Sequence, residues 1–319
     1  MKKWQTQNLR THSVILTLAA ILATNVTGIV SGQKSARLAN TQGATSAASN
    51  VRTLPSLPFE PNEELVYAAE FSRALLKKVD VADFRFTVRR EPLLQKVAAA
   101  GINQDKSDAS YLLKFTGDVS SKGFFAKLFN LRFREQVESI VDPASFTVQK
   151  TKRVDEQGKR ARISESTYKD GKVLWTEYDP NNTSRPPRQA SAAFAGQVQD
   201  VLSAIYYLRT QPLEVGKTFE LTVSDSGVVY HVPARVVEQK RMKTALGRVD
   251  TLRVDPEVFG PNRLLSGEGH FSIWFTADKR RIPVTARIKT KYGTFDITLR
   301  KVIKSPPAAE SLASTNPDE

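Results

Sequence analysis

From Val81 to Arg89 hydrophobic and polar side chains alternate. Ala82, Phe84, Phe86 and Val88 fall on one side, and Val81, Asp83, Arg85, Thr87 and Arg89 on the other, which is the period of a half-buried strand. Tyr111, Leu113, Phe115 and Gly117 alternate in the same way with Leu112, Lys114, Thr116 and Asp118. An earlier strand is expected over Glu64–Phe71, after the turn-forming pair Pro61-Asn62. Farther on, Ser145–Arg153, Arg160–Tyr168 and Val173–Tyr178 predict a meander. Its turns fall at Asp155–Gly158 and Lys169–Lys172, and Asp170-Gly171 suits a primed hairpin turn because glycine tolerates positive φ. Residues 179–198 carry Asn181-Asn182 and Pro186-Pro187 among Ala and Ser, which predicts a long loop.

The period changes at Asp200. Val201, Ala204, Ile205 and Leu208 recur at helical spacing, Asp200 is a suitable N-cap, and Gln211-Pro212 ends the run. Strands then resume over Thr218–Ser224, Val228–Gln239, Gly247–Val254, Gly267–Thr276, Ile282–Thr290 and Thr294–Ile303. The chain therefore reads as mainly β: a curved antiparallel sheet forming a barrel, half-barrel or two-sheet sandwich, with one or two short helices. Trp274 sits between Ile273 and Phe275, and we expect it inside, against Val201, Ile205 and Leu208 of the helix.

The ends differ from the middle. Lys2, Lys3 and Arg10 precede an apolar run, Val14–Ala23, broken by Thr17, and small residues then lead to Val30-Ser31-Gly32. That is the order of a cleavable signal peptide, with the cut placed after Gly32. The run is shorter than the roughly 20 residues needed to span a bilayer. The expected organisation is a signal peptide over 1–32, a disordered linker over 33–57, a single β domain over 58–304 and a flexible tail over 305–319. The chain has no cysteine, which excludes a lipobox, disulfides and thiolate metal sites. It is expected to be exported, periplasmic or secreted, not a lipoprotein, with no transmembrane helix in the mature chain.

The formal net charge is +14. It favours anionic neighbours such as lipid head groups, acidic polysaccharide or cell-wall polymers. Nucleic acid is not expected as a partner. The cations are interspersed with acids, as at Lys150, Lys152, Arg153, Asp155 and Glu156, and no recognition motif accompanies them.

Four stretches carry a resemblance: Pro58–Tyr67, Ile140–Pro143, Asp200–Arg209 with Pro212–Gly216, and Ile273–Pro283. With them the chain resembles the bacterial domain-of-unknown-function family DUF3108, over about Pro58 to Val302. The resemblance implies an exported, mostly β protein of the cell envelope and supplies no reaction, cofactor or catalytic residue. The sequence departs from the family pattern at Phe71–Lys78, where a glycine-rich small-residue segment is usual.

Candidate chemistry is sparse. His12 lies in the signal, and His231 and His270 have no metal-ligand spacing. No nucleophile elbow, phosphate loop, dinucleotide fingerprint or cysteine nucleophile is present. No catalytic, cofactor or metal residue is assigned. The candidate ligand or surface contacts are Tyr206, Tyr207, Arg209, Trp274, Asp278 and Arg281. Arg209 is expected to pair with Glu214 or serve the helix C-terminus; Asp278–Arg281 forms a charged turn, a solubilising tip or an anion contact. Phe124, Phe125, Leu128, Phe129 and Leu131 lie between Lys122, Lys127 and Arg132, which fits a short amphipathic helix over a barrel mouth or a membrane-contacting element. Three functions fit. The first is a non-enzymatic envelope protein whose concave sheet holds a lipid or other apolar or amphipathic ligand, or contacts an anionic envelope polymer. The second is a hydrolase of cell-wall or polysaccharide substrate using carboxylates such as Asp278 and Glu268. The third is a structural or assembly partner that binds through a sheet edge.

Overall fold

A computed structural model of the chain describes residues 56–92, 111–123 and 132–304. The expected signal peptide, nearly all of the linker, the apolar cluster at 124–131 and the tail lie outside the described residues. The first strands are β1 (Glu63–Arg73), β2 (Leu76–Pro92), β3 (Tyr111–Ser121), β4 (Phe133–Val141), β5 (Val148–Gln157), β6 (Arg160–Lys169), β7 (Lys172–Tyr178) and β8 (Arg188–Ala193). A two-residue strand, β9 (Gln199–Asp200), leads into the helix α1 (Val201–Thr210). Then follow β10 (Thr218–Asp225), β11 (Val228–Thr244), β12 (Gly247–Pro256), β13 (Gly269–Thr276), β14 (Pro283–Thr290) and β15 (Gly293–Lys304).

All fifteen strands join in one sheet, ordered β8-β7-β6-β5-β4-β3-β2-β1-β15-β14-β13-β12-β11-β10-β9. Neighbours are antiparallel, except that β9 runs parallel to β10. The sheet is curved and not closed, so the two-sheet sandwich and the sealed barrel both give way to an open roll. β1 and β15 pair at its middle, with Glu63 opposite Lys304. The edges β8 and β9 share no ladder, and the roll is held across its seam by other contacts. The Val148 N–H donates to the Val198 carbonyl at 3.1 Å, and the Thr151 hydroxyl to the Asp200 carboxylate at 2.6 Å.

Three details differ from the sequence reading. Asp155 and Glu156 belong to β5, and the turn falls at Gly158 (φ 60°) and Lys159. β8 lies inside the expected loop; Arg188–Ala193 has no strand-forming side chains, and its backbone pairs with β7 from Glu177↔Arg188 to Lys172↔Ala193. β4 has no clean apolar alternation in the sequence, because the buried Glu135 and Ser139 interrupt its apolar side. The Asp170-Gly171 turn is as expected, with φ of 51° and 69°.

The helix lies against the concave side of the sheet. Leu202 and Tyr206 join the core built by β1–β4, β14 and β15. Ala204 and Leu208, on another face of α1, join a second core built by β10–β13. One short helix reaches both because the sheet wraps around it. Gly117 permits the approach: a Cβ there would lie 3.2 Å from the Phe86 ring and 3.5 Å from Leu202. Asp200 accepts from the Ser203 N–H at 2.7 Å, and the Ser203 hydroxyl accepts from the Asp200 N–H at 2.9 Å, closing a capping box. Asp200→Ala removes this cap and the acceptor for Thr151. It is expected to cost about 2 kcal/mol, the upper end for an N-cap, measured by urea denaturation.

The expected place of Trp274 is half right. It is buried, but Ile273 and Phe275 share the core with Ala204 and Leu208. Trp274 stands on the opposite face of the strand, with the Arg253 and Arg287 guanidinium groups 5.9 and 5.8 Å from its ring. Ile205 is half-buried, and the helix buries Leu202, Ser203, Ala204, Tyr206, Leu208 and Arg209. The apolar spacing that located the helix therefore did not give its buried face, because the helix is enclosed on more than one side.

Candidate functional site

Where α1 ends, the chain that enters β1 and the turn between β13 and β14 meet. Arg209, in the last turn of the helix, is fully buried. Its Nη1 reaches Glu63 Oε1 at 2.5 Å and its Nη2 reaches Glu63 Oε2 at 3.0 Å, a two-point contact. The same guanidinium donates to the carbonyls of Arg280, at 3.1 and 3.2 Å, and Pro58, at 3.3 Å. It also lies 5.1 Å from the Phe59 ring and 5.4 Å from the Tyr206 ring. One side chain thus ties together the helix, the entry segment and the turn. Glu214, the expected partner, pairs with Lys217 instead.

Beneath Arg209 lies an aromatic stack. Tyr206 is parallel to Phe115, with centroids 4.2 Å apart, and meets Phe59 edge-on at 5.3 Å. Burial pushes the Tyr206 phenol well above its ordinary pKa, so it is neutral, and its buried hydroxyl has no hydrogen-bond partner among the described residues. Tyr207 turns away, half-buried, with its ring 5.7 Å from Phe146. The concave interior here is filled by aromatic side chains and the helix.

Outside this layer is a pocket of about 380 Å³ at the mouth of the roll. Leu57, Phe59, Ile282 and Val302 give it apolar walls, and Lys279, Arg280 and Arg281 bring cations to its lining. Arg281 has φ of 43°, a left-handed conformation unusual for a residue with a side chain. Its guanidinium donates to the Arg209 carbonyl at 3.1 Å, satisfying the helix C-terminus. Asp278 is the clasp of the turn: it accepts from the Thr276 hydroxyl at 2.7 Å and from Arg280 at 2.6–3.1 Å through the backbone N–H and guanidinium. Desolvation alone would raise its pKa, but these hydrogen bonds hold it below the usual carboxylate range. A carboxylate depressed by folding stabilises the fold above its unfolded pKa, and that contribution fades as pH falls through the folded value. The stability difference between wild type and Asp278→Asn is therefore expected at neutral pH and to shrink on acidification, read from denaturation midpoints along a pH series.

Of the six sequence candidates, the structure gathers Tyr206, Arg209, Asp278 and Arg281 around this mouth and leaves Tyr207 and Trp274 elsewhere. Lys279 belongs to the charged turn expected as an anion contact, whereas Phe59 and Glu63 were not expected as parts of this mouth. The hydrolase pair is pulled apart: Glu268 precedes β13 and Asp278 follows it, so a strand of eight residues separates them, roughly 26 Å at the strand rise. Two-carboxylate hydrolysis needs about 5–10 Å. Among the described residues no His, Asp and Glu cluster is arranged to hold a metal ion. His270 contacts Asp255 at 3.1 Å, and His231 lies 3.8 Å from Glu220.

A second polar cluster occupies the seam. Arg153 meets the fully buried Glu135 at 2.9 Å and Asp225 at 3.7 Å. Tyr168, Ser166, Ser224 and Asp200 line the adjoining space of about 40 Å³, room for a few waters at most. Burial raises the pKa of Asp155 beside it, against the lowering pull of Arg153. This network fastens the two halves of the roll and is too small to hold a ligand.

The profile of the family described as protein of unknown function DUF3108 matches residues 84–300, more than half of the chain. The chain belongs to the DUF3108 family. Its match ends before the mouth on one side: Phe59 and Glu63 lie ahead of residue 84, whereas α1 and the 278–281 turn fall within it. No curated protein matches this DUF3108 chain. Among solved structures it is similar to a beta-barrel-like protein of domain of unknown function DUF1849 from Brucella abortus, at 10% identity and a TM-score of 0.47, covering 77% of this chain and 98% of that one. It is also similar to a candidate exported protein with a YmcC-like fold from Bacteroides fragilis, at 9% identity and a TM-score of 0.32, covering 79% and 100%. A candidate lipoprotein from Parabacteroides distasonis is similar at 10% identity and a TM-score of 0.28, covering 77% and 97%. Among the described residues of the DUF3108 chain, no helix is long and apolar enough to cross a membrane.

Proposed function

We propose that this DUF3108 protein is an exported, non-enzymatic envelope protein that binds a small anionic amphipathic ligand at the mouth of its roll. The observation that carries the reading is the pocket of about 380 Å³, with apolar walls at Leu57, Phe59, Ile282 and Val302 and cations at Lys279, Arg280 and Arg281. Its size lies in the range of small-molecule sites, and the separation of apolar wall from charged rim matches a molecule with an acidic head and an apolar body. Two of the carboxylates near it serve structure, Glu63 held by Arg209 and Asp278 by its own turn; the exposed Glu60 also lines the pocket. Export rests on the charged, apolar, small-residue order of residues 1–32.

The test is native mass spectrometry of protein recovered from the exporting compartment, together with the mass of its N-terminus. The reading predicts a chain beginning at Gln33 that carries an acidic amphiphile released by solvent extraction. A ligand-free chain that also fails to take up dodecanoate contradicts the binding reading. A retained N-terminal segment on a cytoplasmic protein contradicts export.

A further inference from the structure

The end of the sheet farthest along β14 from the mouth turn carries a different surface. The β1–β2 hairpin turns through Arg73-Ala74-Leu75-Leu76, with Arg73 paired to Leu76. Leu75 is 98% and Leu76 43% exposed. Arg73, Lys77 and Lys78 beside them are exposed too. The β14–β15 hairpin ends next to this tip, since Ser72 pairs with Thr294. It adds Lys289, Lys291 and the half-buried Tyr292, whose ring has the Lys291 ammonium at 5.2 Å.

The two tips are fixed to each other. At Gly293, with φ of 149°, a Cβ would lie 2.5 Å from the Phe71 ring, so only glycine lets the second hairpin close on the first. The Lys78 N–H donates to the Ser72 hydroxyl at 3.0 Å. Ala74 and Lys78 are both left-handed, with φ of 45° and 54°, conformations held by the surrounding hairpin. Nothing about pairing β1 with β2 demands leucine at the point of the turn. Two adjacent leucines held out into water, five cations around them and a tyrosine at the side form the composition that seats on a charged lipid interface. The acids in the next row have cations of their own: Asp80 lies 4.0 Å from the Lys122 ammonium, Glu70 pairs with Arg300 and Asp296 with Arg287.

We propose that the paired β1–β2 and β14–β15 tips are a contact surface for an anionic lipid bilayer: Leu75 and Leu76 enter the head-group region while Arg73, Lys77, Lys78, Lys289 and Lys291 meet acidic lipid. This surface is separate from the mouth pocket, and either can fail without the other.

The chain has no cysteine, so one introduced cysteine labels one place in the full-length protein. Leu75→Cys and, as a control at the other end of β14, Ala277→Cys are labelled with a polarity-sensitive fluorophore and mixed with vesicles. One vesicle type contains about one-third phosphatidylglycerol and the other phosphatidylcholine alone. The proposal predicts a blue-shifted, several-fold brighter label at position 75 on the anionic vesicles, little change on the zwitterionic ones, and little change at position 277 on either. Adding K77E and K78E to the Leu75→Cys chain is expected to cut the response on anionic vesicles roughly tenfold, because each basic residue near the surface contributes to the attraction. A label at 75 that stays in water on both vesicles overturns the proposal. So does an equal response at 75 and 277, which would mean tethering by another part of the chain, or a response indifferent to K77E/K78E.

Discussion

Replacing Arg209 by alanine is expected to lower folding stability by about 3–5 kcal/mol, the range for breaking a buried ion pair from one side. Glu63 would be left with its charge buried, and it is only 8% exposed in the fold. The carbonyls of Pro58 and Arg280 would lose their donor in the same step. The double variant Glu63→Gln with Arg209→Met keeps the volume and removes both charges. It should recover much of the loss, since a buried pair often contributes little net stability against a well-packed apolar replacement. Urea denaturation of the three chains decides the point. Arg209→Ala within about 1 kcal/mol of wild type, well short of the range for a broken buried pair, would mean that water reaches Glu63 and that the mouth is looser than described.

Tyr206 gives the second large effect, and its two substitutions should part company. Tyr206→Ala empties the stack between Phe115 and Phe59 and is expected to cost about 3–5 kcal/mol, the range for a large aromatic removed from a core. Tyr206→Phe keeps the ring and deletes a buried hydroxyl that has no partner among the described residues. A buried group without a partner carries a desolvation penalty of about 1–3 kcal/mol, so Tyr206→Phe should be neutral or stabilising. Thermal and urea unfolding of both variants test this. A clear loss for Tyr206→Phe would reveal a bonded water at the hydroxyl.

The strands were legible wherever one face of the sheet is apolar and the other wet. Ala82, Phe84, Phe86 and Val88 announce β2 because their alternation survives into the structure. β4 was hidden because Glu135 occupies a core-facing position, a place that Arg153 makes tolerable from the next strand. β8 was hidden because its residues have no preference of their own for a strand. At the site, the helix and the charged turn were readable from sequence, but their meeting was not. Arg209 and Glu63 are 146 residues apart, and contacts of that span leave no mark in local spacing. One signal was present. α1 contains no acid, and Arg209 shares a helical stripe with Leu202 and Tyr206, so a buried arginine there had to find its carboxylate elsewhere in the chain. The pocket itself needed the fold, because Leu57, Ile282 and Val302 come from three separate segments.

The most direct measurement of the central claim is a calorimetric titration of the purified protein with dodecanoate and with its uncharged methyl ester, in wild type and in Lys279→Glu. Lys279 is exposed on the rim and forms no ion pair among the described residues, so the substitution tests charge recognition without opening the core. Binding of the acid at one site, weaker binding of the ester, and a loss of up to about fivefold for the acid in Lys279→Glu, the upper value for one favourable surface charge pair, are the predicted results. Equal affinity for acid and ester, or an acid affinity indifferent to Lys279→Glu, would contradict an anion-reading mouth.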